Sequence, residues 1–500
     1  MAEASVILDR DYTIARVDPR LFGGFAEHLG RHIYTGIYEP DHPTADQHGF
    51  RADVAELVRE LDMPVMRYPG GNFVSGYDWE DGVGPREERP TRLDLAWQTT
   101  EPNDFGTNEF IDWCEVVGSE PMLAVNLGTR GPDAARRLVE YCNHPGDTAL
   151  SDLRRRHGYE EPHGVKLWCL GNEMDGPWQM EHKSPHEYGR VACEAAKLMK
   201  WVDPEIELVV CGSSNRGMDT FGTWELEVLE HTCEHVDYIS IHSYFGKTGN
   251  GTPGLLATSD HMDLFIEEVI CLADAAAARR LSTDRLGLAF DEYNIMHYDE
   301  PKSEAEPWDV APEHHETIYM MEDALAFGGL LLSLLNHADR VKIGCVAQVV
   351  NVIAPILTEP GGPAWRQSIF YPFAQASRWG RGTVLRALVD STQYEVGDAT
   401  GFPHLKLAAV RSEDAREISL FALNRDLEEP LELEVDLRSF GALHVEQWQV
   451  LRDDDLTATN RREDPDRLTP APQEGAEVKN GQLTAVLPPA SWNVLRLSVA

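Results

Sequence analysis

Between residues 22 and 351 the chain alternates short, nearly continuous apolar runs with longer amphipathic stretches. The apolar runs are 22–28, 65–71, 121–128, 165–173, 206–214, 236–244, 285–294 and 340–351. Their lack of polar alternation predicts parallel strands buried on both faces. Helical spacing falls between them. In 51–62, Val54, Leu57, Val58 and Leu61 share one face, and Pro132 opens 132–143 at a first-turn position. Residues 185–202, 261–280 and the Ala/Leu-rich 316–338 read as further helices. Eight strand–helix repeats predict a (β/α)8 barrel. A doubly wound open sheet is the rival, but no GxGxxG fingerprint follows the first strand.

After about residue 380 the period changes to two. Residues 431–437 (LELEVDL) alternate apolar with acidic side chains, and 405–410, 418–423, 445–451, 483–487 and 494–499 read as short strands. This predicts an antiparallel β-sandwich with one solvated face. Residues 4–17 also read as strands and are expected to join it. The expected organisation is therefore N-terminal strands over 1–17, a barrel over 18–380 and a sandwich over 381–500. The acidic stretch 296–313 is a long loop, a length that usually signals function or disorder.

Charge narrows the partners. The 44 basic and 84 acidic residues leave a net charge of −40. Such a surface repels nucleic acid and anionic lipid, so neither is expected as a partner. Solubility alone and adaptation to a salty cytoplasm both explain the excess, and the second also fits a basic set with only nine lysines. If self-repulsion limits the fold, molar potassium chloride should raise the melting temperature and strengthen assembly. Screening shortens from about 10 Å at 0.1 M to about 3 Å at 1 M. A melting temperature and size unchanged over that range would leave solubility as the explanation. The eight cysteines form no CxxC pair and sit partly in apolar runs, as free thiols of a reducing compartment do. The N-terminal residues lack the basic and apolar regions of a signal peptide, and no apolar run reaches the ~18 residues that span a membrane. A cytoplasmic protein is expected.

In a barrel of this kind chemistry sits at the C-terminal ends of the strands. Those ends carry Glu27 and His28; Arg67, Gly70, Gly71 and Asn72; Asn126; Asn172 and Glu173; His242 and Tyr244; Asp291, Glu292 and Asn294; and Gln348 and Asn351. Two glutamates at strand ends four and seven, Glu173 and Glu292, fit glycoside hydrolysis with retention, which needs two carboxyls about 5–5.5 Å apart. Asn172 precedes Glu173, so an ordinary strand would point it the other way unless the strand end bends. It is either a sugar-hydroxyl ligand or the residue turning the strand into its loop. His28/His32 and His314/His315 lack a third partner at metal-binding spacing and read as solvated histidines, so neither metal nor cofactor is expected. His242 ends strand six and is expected to face the pocket as a hydrogen-bonding group. Ser213-Ser214 has no nucleophile-elbow frame. Gly70-Gly71 reads as a tight turn near Asn72.

Longer motifs are specific. RYPGGNFVSGYDWEDGVGP (67–85), WCLGNEMDGPWQ (168–179), FDEYN (290–294) and AQVVNVIAPI (347–356) resemble family 51 of the glycoside hydrolases, with support from FAEHLGRHIYTGIY (25–38) and LAWQTTEPN (95–103). The resemblance runs over about 4–500. It implies a retaining, metal-independent α-L-arabinofuranosidase with a barrel followed by a β-sandwich, often an intracellular hexamer, acting on arabinose-containing oligosaccharides. It gives Glu173 the acid/base role and Glu292 the nucleophile role. Glu27, Asn72, Asn172 and Gln348 match positions that hydrogen-bond furanose hydroxyls, and Tyr244 matches a tyrosine beside the nucleophile. Trp97 and Trp178 lie in family-like motifs as flat apolar surfaces for sugar; Trp308 either does the same or anchors the acidic loop, and Trp113, Trp201 and Trp379 read as packing. Tyr293 stands where the family commonly has Trp, and the following NIMHY also departs from the pattern, which concerns the rim beyond the arabinose site. The alternatives are an endo-acting β-glycanase on the same framework and a non-catalytic sugar-binding barrel; the latter predicts loss of a carboxylate, and both are present.

Overall fold

A computed structural model describes residues 2–283, 285–298 and 306–499. Part of the acidic stretch expected as a loop, 299–305, lies outside the described residues. Eight parallel strands close into a barrel: β1 (Gly23–Phe25), β2 (Val65–Tyr68), β3 (Glu120–Ala124), β4 (Leu167–Cys169), β5 (Glu207–Cys211), β6 (Tyr238–Phe245), β7 (Gly287–Ile295) and β8 (Val341–Ala347). Neighbours follow chain order, with β8 pairing β1. Each predicted apolar run contributes one strand. The (β/α)8 reading holds.

Local chemistry explains the helices between them. Ser184 caps Pro185–Val202 by accepting from the Glu187 N–H, while Glu187 reaches back to the cap and Pro185 fills the first turn. Asp62 ends Ala52–Leu61 in a left-handed conformation. Met321–Asn336 is buried all round over 321–335, because it lies between the barrel and the C-terminal domain. A Cβ on Gly328 would stand 2.6 Å from the Trp492 ring, so that glycine lets the C-terminal sheet press directly on the helix.

The C-terminal domain stacks a five-stranded and a seven-stranded sheet. Alternate side chains interleave between them, among them Val6, Leu433 and Val435 from one sheet and Leu407, Leu420 and Leu495 from the other. Two features differ from the sequence expectation. Ala2–Ile7 joins the five-stranded sheet but runs parallel to Leu431–Asp436. The seven-stranded sheet has no solvated face at its centre, since Ala408, Val410, Leu423, Trp492 and Val494 pack on the barrel side. Its strand Leu405–Arg411 is accordingly buried at consecutive positions, whereas Leu431–Asp436 alternates buried with exposed.

Inside the barrel Phe25, Val65, Met122, Ala124, Leu167, Cys169, Val209, Ala289, Ile343 and Cys345 form an apolar plug. Because strand side chains alternate, the inward residues two positions further along are polar: Glu27 after Phe25 and Arg67 after Val65. The plug thus supplies a dry floor on which a charged layer rests.

Candidate active site

The charged layer is organised by Arg67, which is 1% exposed. Its Nη1 donates to Glu292 Oε1 at 2.7 Å, its Nη2 to Asn172 Oδ1 at 2.6 Å, and its Nε lies 3.1 Å from Asp291 Oδ2. Burial alone would lower the pKa of the guanidinium, but Asp291 and Glu292 raise it well above its ordinary value. The planar guanidinium hydrogen-bonds Glu292 and Asn172 through its two terminal nitrogens and sets its Nε edge against the Asp291 carboxylate.

Strand β7 must present Asp291 and Glu292 to the same interior, against ordinary alternation. It does so through a bulge. Ser240 pairs with Ala289 but His242 with Glu292, so three steps on β7 face two on β6. On β6 the period-two face carries Ser240, His242 and Tyr244 inward. Tyr244 donates to Glu292 Oε2 at 2.7 Å. His242 Nδ1 lies 3.0 Å from Glu173 Oε1 and 3.7 Å from Glu292 Oε2; its Nε2 lies 3.3 Å from Asp291 Oδ1, which also accepts from Ser240 at 2.5 Å. One oxygen each of Glu173 and Glu292 and one His242 nitrogen lie within 4.8 Å of one another.

Burial acts to lower the pKa of His242, but Glu292, Asp291 and Glu173 outweigh it and push it up to about 10. The imidazole is therefore protonated at neutral pH, and it bridges the two glutamates as a cation. The unperturbed ring titrates near 6.5. The stabilisation is complete below about pH 6.5 and is lost as pH rises toward about 10. Unfolding free energies of the wild type minus those of His242→Gln should shrink across that window. A difference that stays flat there would contradict the bridging cation.

The chain after β4 bends as Asn172 required. Gly171 has φ +92° and Glu173 φ +44°, a left-handed conformation that disfavours non-glycine residues. Two left-handed positions so close together turn both Asn172 and Glu173 toward the barrel mouth. Glu173 Oε2 accepts from Trp178 Nε1 at 2.6 Å. All four oxygens of Glu173 and Glu292 thus have protein donors. A metal held by these two residues and His242 would have to displace those donors and the proton on Nδ1.

Glu27 closes the other side. Its Oε1 accepts from Phe73 N and Trp97 Nε1, both at 3.0 Å, and its Oε2 from Gln348 Nε2 at 3.1 Å. Burial first, and Glu292 second, push its carboxyl up to about 8. A Cβ on Gly71 would fall 2.6 Å from Glu27, and one on Gly70 2.8 Å. The glycine pair therefore makes room for this carboxylate, and Asn72, half-buried, opens the short helical turn that follows. Among the described residues, two side-chain amide atoms of this layer, Asn172 Nδ2 and Gln348 Oε1, are buried without a hydrogen-bond partner, as is Arg67 Nε beside Asp291. A donor and an acceptor, both buried and unsatisfied, suit the hydroxyls of a small polyol.

The structure thus brings together Glu27, Asn172, Glu173, His242, Tyr244, Glu292 and Gln348, with Trp97 and Trp178 attached by their indole N–H groups. Trp178 remains 47% exposed. Other strand-end polar residues do different work. Asn126 accepts from Gly128 N and Arg130 N, Asn294 donates to the carbonyls of Ala347 and Ile353, and Asn351 donates to Arg31 O; each holds a loop. The reading of His28 and His32 as solvated is wrong, since both are buried. His28 sits between Glu101 and the Tyr68 hydroxyl. Tyr293 does not reach the rim either. It is buried and stacks on Phe327, whereas Tyr298 in the segment that follows is exposed and donates to Tyr244 O. Trp308 is partly exposed and its backbone pairs with Gln98 and Thr100. Sequence reasoning passed over Arg67 and Asp291 as working residues; their signal was a charge at an inward position of an otherwise apolar strand.

Known proteins share this architecture. The family described as Alpha-L-arabinofuranosidase 1 domain matches residues 57–253, and Alpha-L-arabinofuranosidase C-terminal domain matches 291–491. Intracellular exo-alpha-(1->5)-L-arabinofuranosidase 1 of Bacillus subtilis is 54% identical, covering 99% of both chains. A family 51 alpha-L-arabinofuranosidase from Bifidobacterium longum superposes with a TM-score of 0.95 at 44% identity, over 99% of both chains. An alpha-L-arabinofuranosidase from Thermotoga maritima, solved as an arabinose complex, has a TM-score of 0.88 at 31% identity over 99% of this chain and 100% of that one.

Proposed function

Since the chain belongs to the family 51 α-L-arabinofuranosidases and is a glycoside hydrolase, we propose that it removes terminal non-reducing α-L-arabinofuranosyl residues by double displacement with retention. The observation that supports the mechanism is the approach of one oxygen each of Glu173 and Glu292 to within 4.8 Å, nearer to the roughly 5–5.5 Å between the carboxyls of retaining enzymes than to the roughly 6.5–9.5 Å of inverting ones. Glu292 is the nucleophile. Arg67 and Tyr244 hold one oxygen each, fixing the carboxylate without consuming its charge. Glu292 attacks the anomeric carbon while Glu173 protonates the departing glycosidic oxygen. The C–O bond to the leaving group breaks and an ester to Glu292 forms. Glu173, now a carboxylate, takes a proton from water as that water attacks the same carbon and frees Glu292. The His242 cation stabilises each carboxylate in turn, and Asp291 holds the ring from behind. Asn172 Nδ2, Gln348 Oε1 and Glu27 meet the furanose hydroxyls, with Asn72, Trp97 and Trp178 completing the walls.

The substrates proposed are arabinose-containing oligosaccharides with α-1,5 linkages, because relatives from five bacteria carry that linkage in their names. One relative from Bifidobacterium longum, 48% identical, is named for α-1,6 linkages instead. A cytoplasmic setting is part of the proposal, supported by the word intracellular in the names of those α-1,5 relatives. Assembly as a homo-oligomer, a hexamer by family resemblance, belongs to the same proposal. The deciding assay compares para-nitrophenyl α-L-arabinofuranoside and α-1,5-arabinobiose with carboxymethyl cellulose. Release of arabinose from the first two with no cut in the third is expected. Cleavage of carboxymethyl cellulose alone would make the chain an endo-acting glycanase.

A further inference from the structure

Outside the active site, two helices that follow β4 and β5 meet at a group of nitrogen and oxygen donors. His186 is the second residue of Pro185–Val202. Glu227 and His231 stand one turn apart on Thr223–Thr232, on one face of that helix. His186 Nδ1 lies 3.3 Å from Glu227 Oε1 and 3.3 Å from His231 Nε2, and one donor atom from each residue lies within 4.8 Å of the others. As a hydrogen bond between two rings, 3.3 Å is long. As an edge of a metal tetrahedron it is right: ligands at about 2.0–2.1 Å from zinc stand about 3.3 Å apart.

The helix crossing is shaped to admit the second imidazole. A Cβ on Gly189 would meet His231 Cδ2 at 2.7 Å, so a larger residue there would push the ring away from His186. The two imidazoles meet nearly edge to face, at 73°. His186 is 64% exposed at its side chain and Glu227 36%, which leaves the fourth position of a tetrahedron open to water.

We propose that His186, Glu227 and His231 bind a divalent transition-metal ion of the zinc class. Two imidazoles and one carboxylate favour zinc, nickel or copper over magnesium and calcium, which take oxygen ligands. The ion clamps the start of Pro185–Val202 to Thr223–Thr232. The segment just before that start, 170–184, carries Glu173 and Trp178, so the clamp stabilises a helix that anchors the active-site loop without touching the reacting atoms.

The test is calorimetric titration of the untagged enzyme with zinc chloride, together with its melting temperature and its hydrolysis of para-nitrophenyl α-L-arabinofuranoside. The wild type should take about one ion per chain and melt higher with zinc. His186→Ala and His231→Ala should each weaken binding about tenfold or more and lose the melting shift, with unchanged hydrolysis in the absence of zinc. His186 is exposed, so its replacement leaves the fold intact even if that of His231 does not. Absence of zinc binding by the wild type would overturn the proposal. So would binding that persists in both variants and inhibits hydrolysis, because the ion would then sit on Glu173, His242 and Glu292.

Discussion

Replacing Glu292 with alanine is expected to lower kcat by about four orders of magnitude or more, the scale seen when a covalent nucleophile is removed. Nothing nearby can take its place. Asp291 is adjacent in sequence, but it is fully buried behind the site, and its oxygens are committed to Arg67, Ser240 and His242. Glu27 lies across the pocket, with its oxygens engaged by Phe73, Trp97 and Gln348. The truncated side chain leaves space for a small anion. Azide should enter it, attack the anomeric carbon once, and release an arabinosyl azide of inverted configuration. Activity of Glu292→Ala within tenfold of the wild type would remove Glu292 from the nucleophile role.

The loss in Glu173→Ala should depend on the leaving group. General acid catalysis is worth about 10²–10⁴ in rate, and only a poor leaving group needs all of it. With an alkyl or sugar aglycone the first step should fall by that amount. With an activated phenol the first step survives and the second slows, since no base is left to activate water. The ester intermediate then accumulates, a burst of phenol appears, and azide accelerates turnover to give an azide of retained configuration. Equal losses across leaving groups, with no azide acceleration, would contradict the acid/base role.

The barrel was legible because its strands are buried on both faces. A strand such as Gly287–Ile295 has no reason to alternate, and it and its seven counterparts along the chain stood out as apolar runs. The sandwich was legible only where one face meets water. Alternation marked Leu431–Asp436, while the sheet pressed between the sandwich core and the barrel lost it, and the parallel pairing of Ala2–Ile7 carries no sequence signal at all. At the site, position within the repeat pointed to Glu173 and Glu292, since strand ends gather function. The same rule also gathered Asn126, Asn294 and Asn351, which hold loops, because an asparagine that ends a strand by bonding carbonyls looks like one that faces a sugar. The link from Arg67 through Asp291 to His242 was hidden behind the bulge in β7, whose effect is to turn two consecutive residues inward. The role of Gly70 and Gly71 became visible only when the Glu27 carboxylate was found against them.

The proposed retention rests on the separation of two carboxyls, so the configuration of the first product tests the account most directly. Hydrolysis of para-nitrophenyl α-L-arabinofuranoside, followed by proton NMR before the sugar mutarotates, should show the α-anomer of arabinose appearing first and the β-anomer growing in later. In methanol–water mixtures the methyl glycoside formed should also be α. First appearance of the β-anomer would mean a single displacement by water, and would contradict the placement of Glu173 and Glu292 as an acid/base and a nucleophile.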